Sequence, residues 1–147
     1  MSEAPIGLVL SIRPVFAEAI FRREKTVELR RAFHRRWSGA KVLLYASSPR
    51  MAAFGTATIA QVERLEIAEL WAKHGQSIGG TRERVDQYFT GRAAGYALSV
   101  KDTKRFERPV TLDELRERFG SVRPPQSYSV IRHGSAWAWA LGTSRRD

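Results

Sequence analysis

The fold class this chain predicts is α+β, with helices around a curled sheet. Three observations carry it: short runs of branched and aromatic residues recur, segments of helical spacing interrupt them, and Gly55 stands inside a longer strand-like run. At 147 residues and 43% hydrophobic the chain suits a single domain over residues 1–147. Only 143–147 looks like a tail that frays.

Leu8 to Ile12 reads as a short buried strand, and Pro14 opens a helix to Arg23 that turns Val15, Phe16, Ala19 and Ile20 inward. From Lys25 to Arg31 the pattern alternates, with Val27 and Leu29 on one face and Thr26, Glu28 and Arg30 on the other. Ser38-Gly39 precedes a strand from Lys41 to Ala46, and Ser47-Ser48-Pro49 makes a polar turn. Met51 to Val62 is a longer strand whose Gly55 marks a bulge or a close backbone approach.

Between Leu65 and Gly91 the period becomes helical, which predicts two helices, the second capped by Thr81. The intervening Gly75 to Gly80 reads as a flexible loop that a ligand could order. A strand over Ala94 to Phe106 follows, then a helix opened by the capping box Thr111 to Glu114 and ended by Gly120. Pro124-Pro125 gives an extended entry to a strand reaching Ile131, and Trp137-Ala138-Trp139 reads as a last strand with both indoles on one face.

Charge narrows the partner. The chain carries +10 with a pI near 10.8. Nine basic residues between Arg22 and Arg50 face only Glu24 and Glu28, interleaved with Val27, Leu29, Phe33 and Trp37. Basic charge on an apolar framework suits a shaped anionic partner, RNA or single-stranded nucleic acid first. A membrane surface would ask for a long basic amphipathic helix, so no membrane partner is expected. The N-terminus lacks the basic start and unbroken apolar run of a signal peptide or span, which makes a soluble cytoplasmic protein the expectation. No cysteine is present, and His34, His74 and His133 lack paired spacing, so neither a metal nor another cofactor is expected. No phosphate-loop string occurs. Oligomeric state is left open.

Glu28 and Arg30 share a strand face, where they can pair with each other or act as base and phosphate anchor. A solvated surface ion pair is the plainer reading of that spacing. Phe33 and Trp37, among Arg30, Arg31, Arg35 and Arg36, are candidates for stacking on bases, whereas Trp137 and Trp139 fit core packing better.

Four strings together resemble an ASCH domain, of the PUA-like superfamily. They are Leu10 to Pro14, Glu24-Lys25-Thr26-Val27-Glu28-Leu29-Arg30-Arg31, Val42 to Pro49, and Pro124-Pro125-Gln126-Ser127-Tyr128. They occur in the family's order across nearly the whole chain. The resemblance implies a small PUA-like β-barrel flanked by helices, with a nucleic-acid-binding cleft beside it. Its signature of glycine, any residue, lysine, two of any kind, glutamate, any residue and arginine is met by Lys25, Glu28 and Arg30, with Arg23 where glycine is usual. That substitution predicts a corner with ordinary backbone angles and one more positive charge at the cleft mouth.

The function so implied is RNA binding with a regulatory role, through Arg23, Lys25, Arg30, Arg50, Ser127 and Tyr128. The alternative is a metal-independent ribonuclease with Lys25, Glu28, Tyr45 and Ser127 as catalytic groups and Arg50 as a further cation, since attack by a 2′-hydroxyl needs a proton acceptor, a donor and cationic stabilisation. Some small relatives resemble amidohydrolases of acetylated cytidine, but Glu28 stands where their hydroxyl residue would be. A third reading is an interaction module whose basic face meets an acidic protein.

Overall fold

The structure is a computed structural model that describes residues 4–142, so the expected tail at 143–147 lies outside the described residues. The strands are β1 (Gly7–Ile12), β2 (Val27–Arg30), β3 (Lys41–Ala46), β4 (Ala52–Glu66), β5 (Ala94–Thr111) and β6 (Tyr128–Ile131). The helices are α1 (Pro14–Phe21), α2 (Ile67–His74), α3 (Arg82–Tyr88), α4 (Leu112–Phe119) and α5 (Ala136–Leu141), with a 3-10 turn at Arg35–Trp37. One mixed sheet runs β2-β5-β4-β3-β1-β6, in which only β1 and β3 are parallel.

Both faces of the central strands are covered, which is why they read as unbroken apolar runs. Leu8, Leu10, Val42 and Leu44 pack with Ala17 and Ile20 of α1, while Val9, Leu43 and Tyr45 pack with Leu112, Leu115 and Ala140 of α4 and α5. A third cluster joins Val27 and Ala97 to Leu70, Val85 and Phe89 beneath α2 and α3.

The α+β class holds, but the sheet is not a closed barrel: no backbone ladder joins β2 to β6 among the described residues. Curvature comes partly at Gly55. The register slips between Ala53 and Gly55, and a Cβ there would stand 2.1 Å from the Lys104 carbonyl oxygen and 2.7 Å from the Phe21 ring.

Two local expectations are corrected. Trp137-Ala138-Trp139 is not a strand but the middle of α5, because Ser135 Oγ accepts from Ala138 N at 3.1 Å and the alternating alanines favour helix. Burial then falls on Ala136, Ala140 and Leu141 at helical spacing, and the indoles part: Trp137 meets the Tyr45 ring edge-on at 5.6 Å, and Trp139 lies 6.1 Å from Phe119. The loop between α2 and α3 is stitched down rather than loose. Ser77 O accepts from the amides of Thr26 and Val27 at 2.9 and 3.1 Å, and Ile78 is buried. No helix among the described residues is long and apolar enough to cross a membrane.

Candidate functional site

The site begins where α1 ends. Arg23 N donates to Ile20 O at 3.0 Å and Glu24 N to Ala19 O at 2.9 Å, the paired bonds that close a helix through a left-handed residue. That residue is Arg23, at φ 63°. The expectation of ordinary backbone angles is therefore wrong: the corner keeps the glycine conformation without the glycine. Left-handed geometry costs a side-chain-bearing residue about 1–2 kcal/mol, and glycine's extra freedom unfolded offsets about half of that. Arg23→Gly should raise stability by about 0.5–1 kcal/mol, read as a higher midpoint in urea with unchanged slope.

The turn delivers Lys25 into the interior at 3% exposure. Its Nζ donates to Val27 O and Ile78 O, both at 2.8 Å, and lies 3.3 Å from Glu28 Oε1. Burial pushes its pKa below the usual 10.5, partly opposed by the Glu28 charge. Glu28 Oε2 accepts from Arg30 Nη2 at 2.7 Å and Nε at 3.0 Å. Arg30 also donates through Nη1 to Ser127 O and Oγ, both at 3.1 Å, and through Nη2 to Ser11 O at 2.9 Å.

These contacts satisfy all three ammonium protons of Lys25 and all five guanidinium protons of Arg30. Neither is a surface grip for phosphate, and the Glu28–Arg30 pair is not solvated, each residue being 7% exposed. Instead Arg30 spans the seam that the backbone leaves open, tying β2 to the end of β1 and to the strap 124–127. Ser11 fastens the same strap, its Oγ donating to Pro125 O at 2.6 Å and its N to Ser127 O at 3.0 Å.

A cavity of about 370 Å³ opens at the carboxyl ends of β1 and β3. Ser11 and Arg13 form one wall, Tyr45, Ser47 and Met51 another, and Pro124 to Gln126 the third. Tyr45 lines it although 2% exposed, and burial holds its phenol above the usual 10.0 despite nearby Arg116. The strap thus turns Gln126 to the cavity and Ser127 to Arg30. Ser127 is exposed, and its Oγ lone pair takes the Arg30 proton, leaving the O–H to donate outward.

The other expected residues are dispersed. Tyr128 is half-buried against the core and packs its ring 4.7 Å from Phe33, and Phe33 at 7% exposure offers no stacking surface. Trp37 is half-buried under the Arg36 guanidinium, 4.8 Å from its ring. Arg50 is exposed above Phe54 at 5.5 Å, next to Met51 on the cavity rim, and Arg23 is exposed at the α1 corner. Ser11, Arg13, Met51 and Gln126 were not singled out by their residue types. Ser11 carried one signal, as the sole polar residue in the run Leu8 to Ile12. Among the described residues no three histidine, cysteine, aspartate or glutamate side chains gather as a metal site.

Comparison with known proteins adds the family. The model described as Domain of unknown function (DUF365) matches residues 5–120. An ASCH domain-containing ribonuclease of Zymomonas mobilis subsp. mobilis is 31% identical over 124 residues, 84% of this chain and 83% of that protein. Two crystal structures of the Zymomonas mobilis ASCH protein superpose closely. A serine-to-alanine variant gives a TM-score of 0.85 at 27% identity, covering 95% of this chain and 98% of that one. A tyrosine-to-phenylalanine variant gives 0.84 at 28%, covering 94% and 97%. On the family match and this relative, the chain carries the DUF365 domain and belongs to the ASCH domain family.

Proposed function

We propose that the chain binds single-stranded RNA across the mouth of the cavity between β1, β3 and the strap 124–127. The observation that carries this reading is a set of hydrogen-bond donors and exposed cations at the cavity and on the strap beside it. The Ser127 hydroxyl is polarised by Arg30, the Tyr45 phenol is kept protonated by burial, the exposed Arg13 and Arg50 add charge at the cavity wall and rim, and the exposed Arg23 adds charge at the α1 corner. Such a group suits a phosphodiester, which accepts only. Lys25, Glu28 and Arg30 act from behind, fixing the wall, and Tyr128 anchors the strap to the core. Binding alone would serve a regulatory role.

Cleavage is the second reading, favoured by the name of the Zymomonas relative. Here Tyr45 would protonate the departing 5′-oxygen while the Ser127 hydroxyl, polarised by Arg30 behind it, stabilises the charge on the pentavalent phosphate. A strong base is lacking: Glu28 is occupied by two cations and Lys25 by three acceptors. The 2′-hydroxyl proton would pass to solvent, so turnover should be slow.

Labelled RNA in chelator tests both readings. Binding should weaken with salt, log affinity falling by about 0.7 per decade of salt for each phosphate neutralised. Ser127→Ala should weaken binding while leaving thermal stability nearly intact, since Arg30 keeps four of its bonds. Tyr45→Phe should weaken binding modestly, by the loss of one donor, and lower any cleavage at least about 100-fold. A flat salt response rejects the binding surface, and equal cleavage by wild type and Tyr45→Phe rejects the chemistry.

A further inference from the structure

The β2 edge holds a second cationic feature, outside the cavity and unused by the proposed site. Arg31, one residue beyond Arg30, lays its guanidinium over the Tyr88 ring, 4.2 Å from the centroid, and its Nε donates to Tyr88 O at 2.8 Å. Tyr88 is itself pinned, its hydroxyl donating to Leu29 O at 3.3 Å. Arg92 Nη1 donates to Arg31 O at 3.2 Å, which brings a second guanidinium to the same edge.

Both arginines are exposed, and neither has a carboxylate partner among the described residues. Asp86, on the neighbouring helix α3, is taken by Arg82 at 3.1 Å. The packing is more than incidental charge. A stacked guanidinium with Nε already bonded has lost most of its freedom, so its two terminal nitrogens meet an anion at small further entropic cost. The planar fork matches two phosphate oxygens, and a flexible surface lysine would not.

We propose that Arg31 and Arg92 form a pre-organised phosphate clamp that extends the RNA footprint beyond the cavity along the β2 edge. It rests on the RNA reading of the cavity and adds a length preference to it. A strand long enough to leave the cavity and pass Arg30 meets the clamp next. A fragment confined to the cavity does not.

Fluorescence anisotropy on single-stranded oligouridylates of about 3 and about 12 nucleotides tests this. The wild type should bind the longer oligomer with the steeper salt response. Arg31→Ala/Arg92→Ala should weaken the longer oligomer on the order of tenfold and flatten its salt slope by about 1.4, two phosphates at about 0.7 each, with the short oligomer unaffected. Arg31→Lys keeps the charge but not the stacked fork, and should lose a substantial part of the same increment. Full affinity in Arg31→Lys, or equal losses on both lengths, overturns the clamp while leaving the cavity reading intact. Loss of polyglutamate binding in the double variant with no RNA length effect also overturns it, assigning the edge to an acidic protein. If the wild type binds neither oligomer, the cavity reading itself falls and the clamp with it.

Discussion

Glu28→Gln is expected to cost about 3–5 kcal/mol at neutral pH while changing hardly any side-chain volume. Glu28 lies between two buried cations, with Lys25 Nζ at 3.3 Å and Arg30 Nη2 at 2.7 Å. Its carboxylate is the only charge in the cluster that compensates either, so the amide leaves both cations uncompensated in a site closed to water. Lys25 can answer by giving up its proton. Burial already depresses the Lys25 pKa, and Glu28 partly restores it, so losing Glu28 depresses it further. Between that lowered value and 10.5 the unfolded chain binds more protons at this site than the folded one, and stability therefore rises with pH. The deficit of Glu28→Gln should be greatest at neutral pH and shrink as pH climbs toward 10.5, faster than any such rise in the wild type. Urea unfolding of both proteins at neutral pH and just below 10.5 measures it. A variant as stable as wild type at neutral pH, or a deficit constant with pH, would show that Glu28 compensates nothing.

Local rules made much of the fold legible and little of the site's burial. Lys41 to Ala46 reads correctly because a run of branched and aromatic residues is bounded by Gly39 and Ser47-Ser48-Pro49. The Thr81 and Thr111 caps are equally visible, since each satisfies an amide three residues on, Arg84 N at 3.2 Å and Glu114 N at 3.0 Å. Trp137 to Trp139 fails because alanine and tryptophan in alternation fit a strand as well as a helix, and Ser135 decides between them. The alternation Thr26, Glu28, Arg30 shows correctly that Glu28 and Arg30 share a face. What closes over that face is remote in the chain: Ile78 O stands 53 positions from Lys25, and Ser127 lies 97 from Arg30. No local pattern distinguishes a charged strand face that meets water from one capped by such distant segments. Arg23 shows the converse, because the helix-closing bonds demand a left-handed residue even where the family's usual glycine is missing.

Arg30→Ala should be comparably damaging, at about 3–5 kcal/mol, and its consequences divide between the fold and the ligand. On the fold side, Glu28 is left with Lys25 alone, while Ser11 O, Ser127 O and Ser127 Oγ lose their donor at a seam that no backbone ladder closes. On the ligand side, the Ser127 hydroxyl loses both its orientation and its polarisation. Arg30→Lys separates the two. A lysine can approach the Glu28 carboxylate and recover part of the stability, but one compact ammonium cannot bridge Glu28, Ser11 and Ser127 together. RNA affinity in Arg30→Lys should therefore fall to the level of Ser127→Ala, even where unfolding in urea shows the fold largely restored. Combining the two substitutions supplies the deciding measurement. If Arg30 positions Ser127, adding Ser127→Ala to Arg30→Lys should weaken RNA binding little further, a coupling of about 1 kcal/mol or more. Additive losses would mean that the guanidinium meets the RNA on its own account, at the expense of at least one of its five internal bonds.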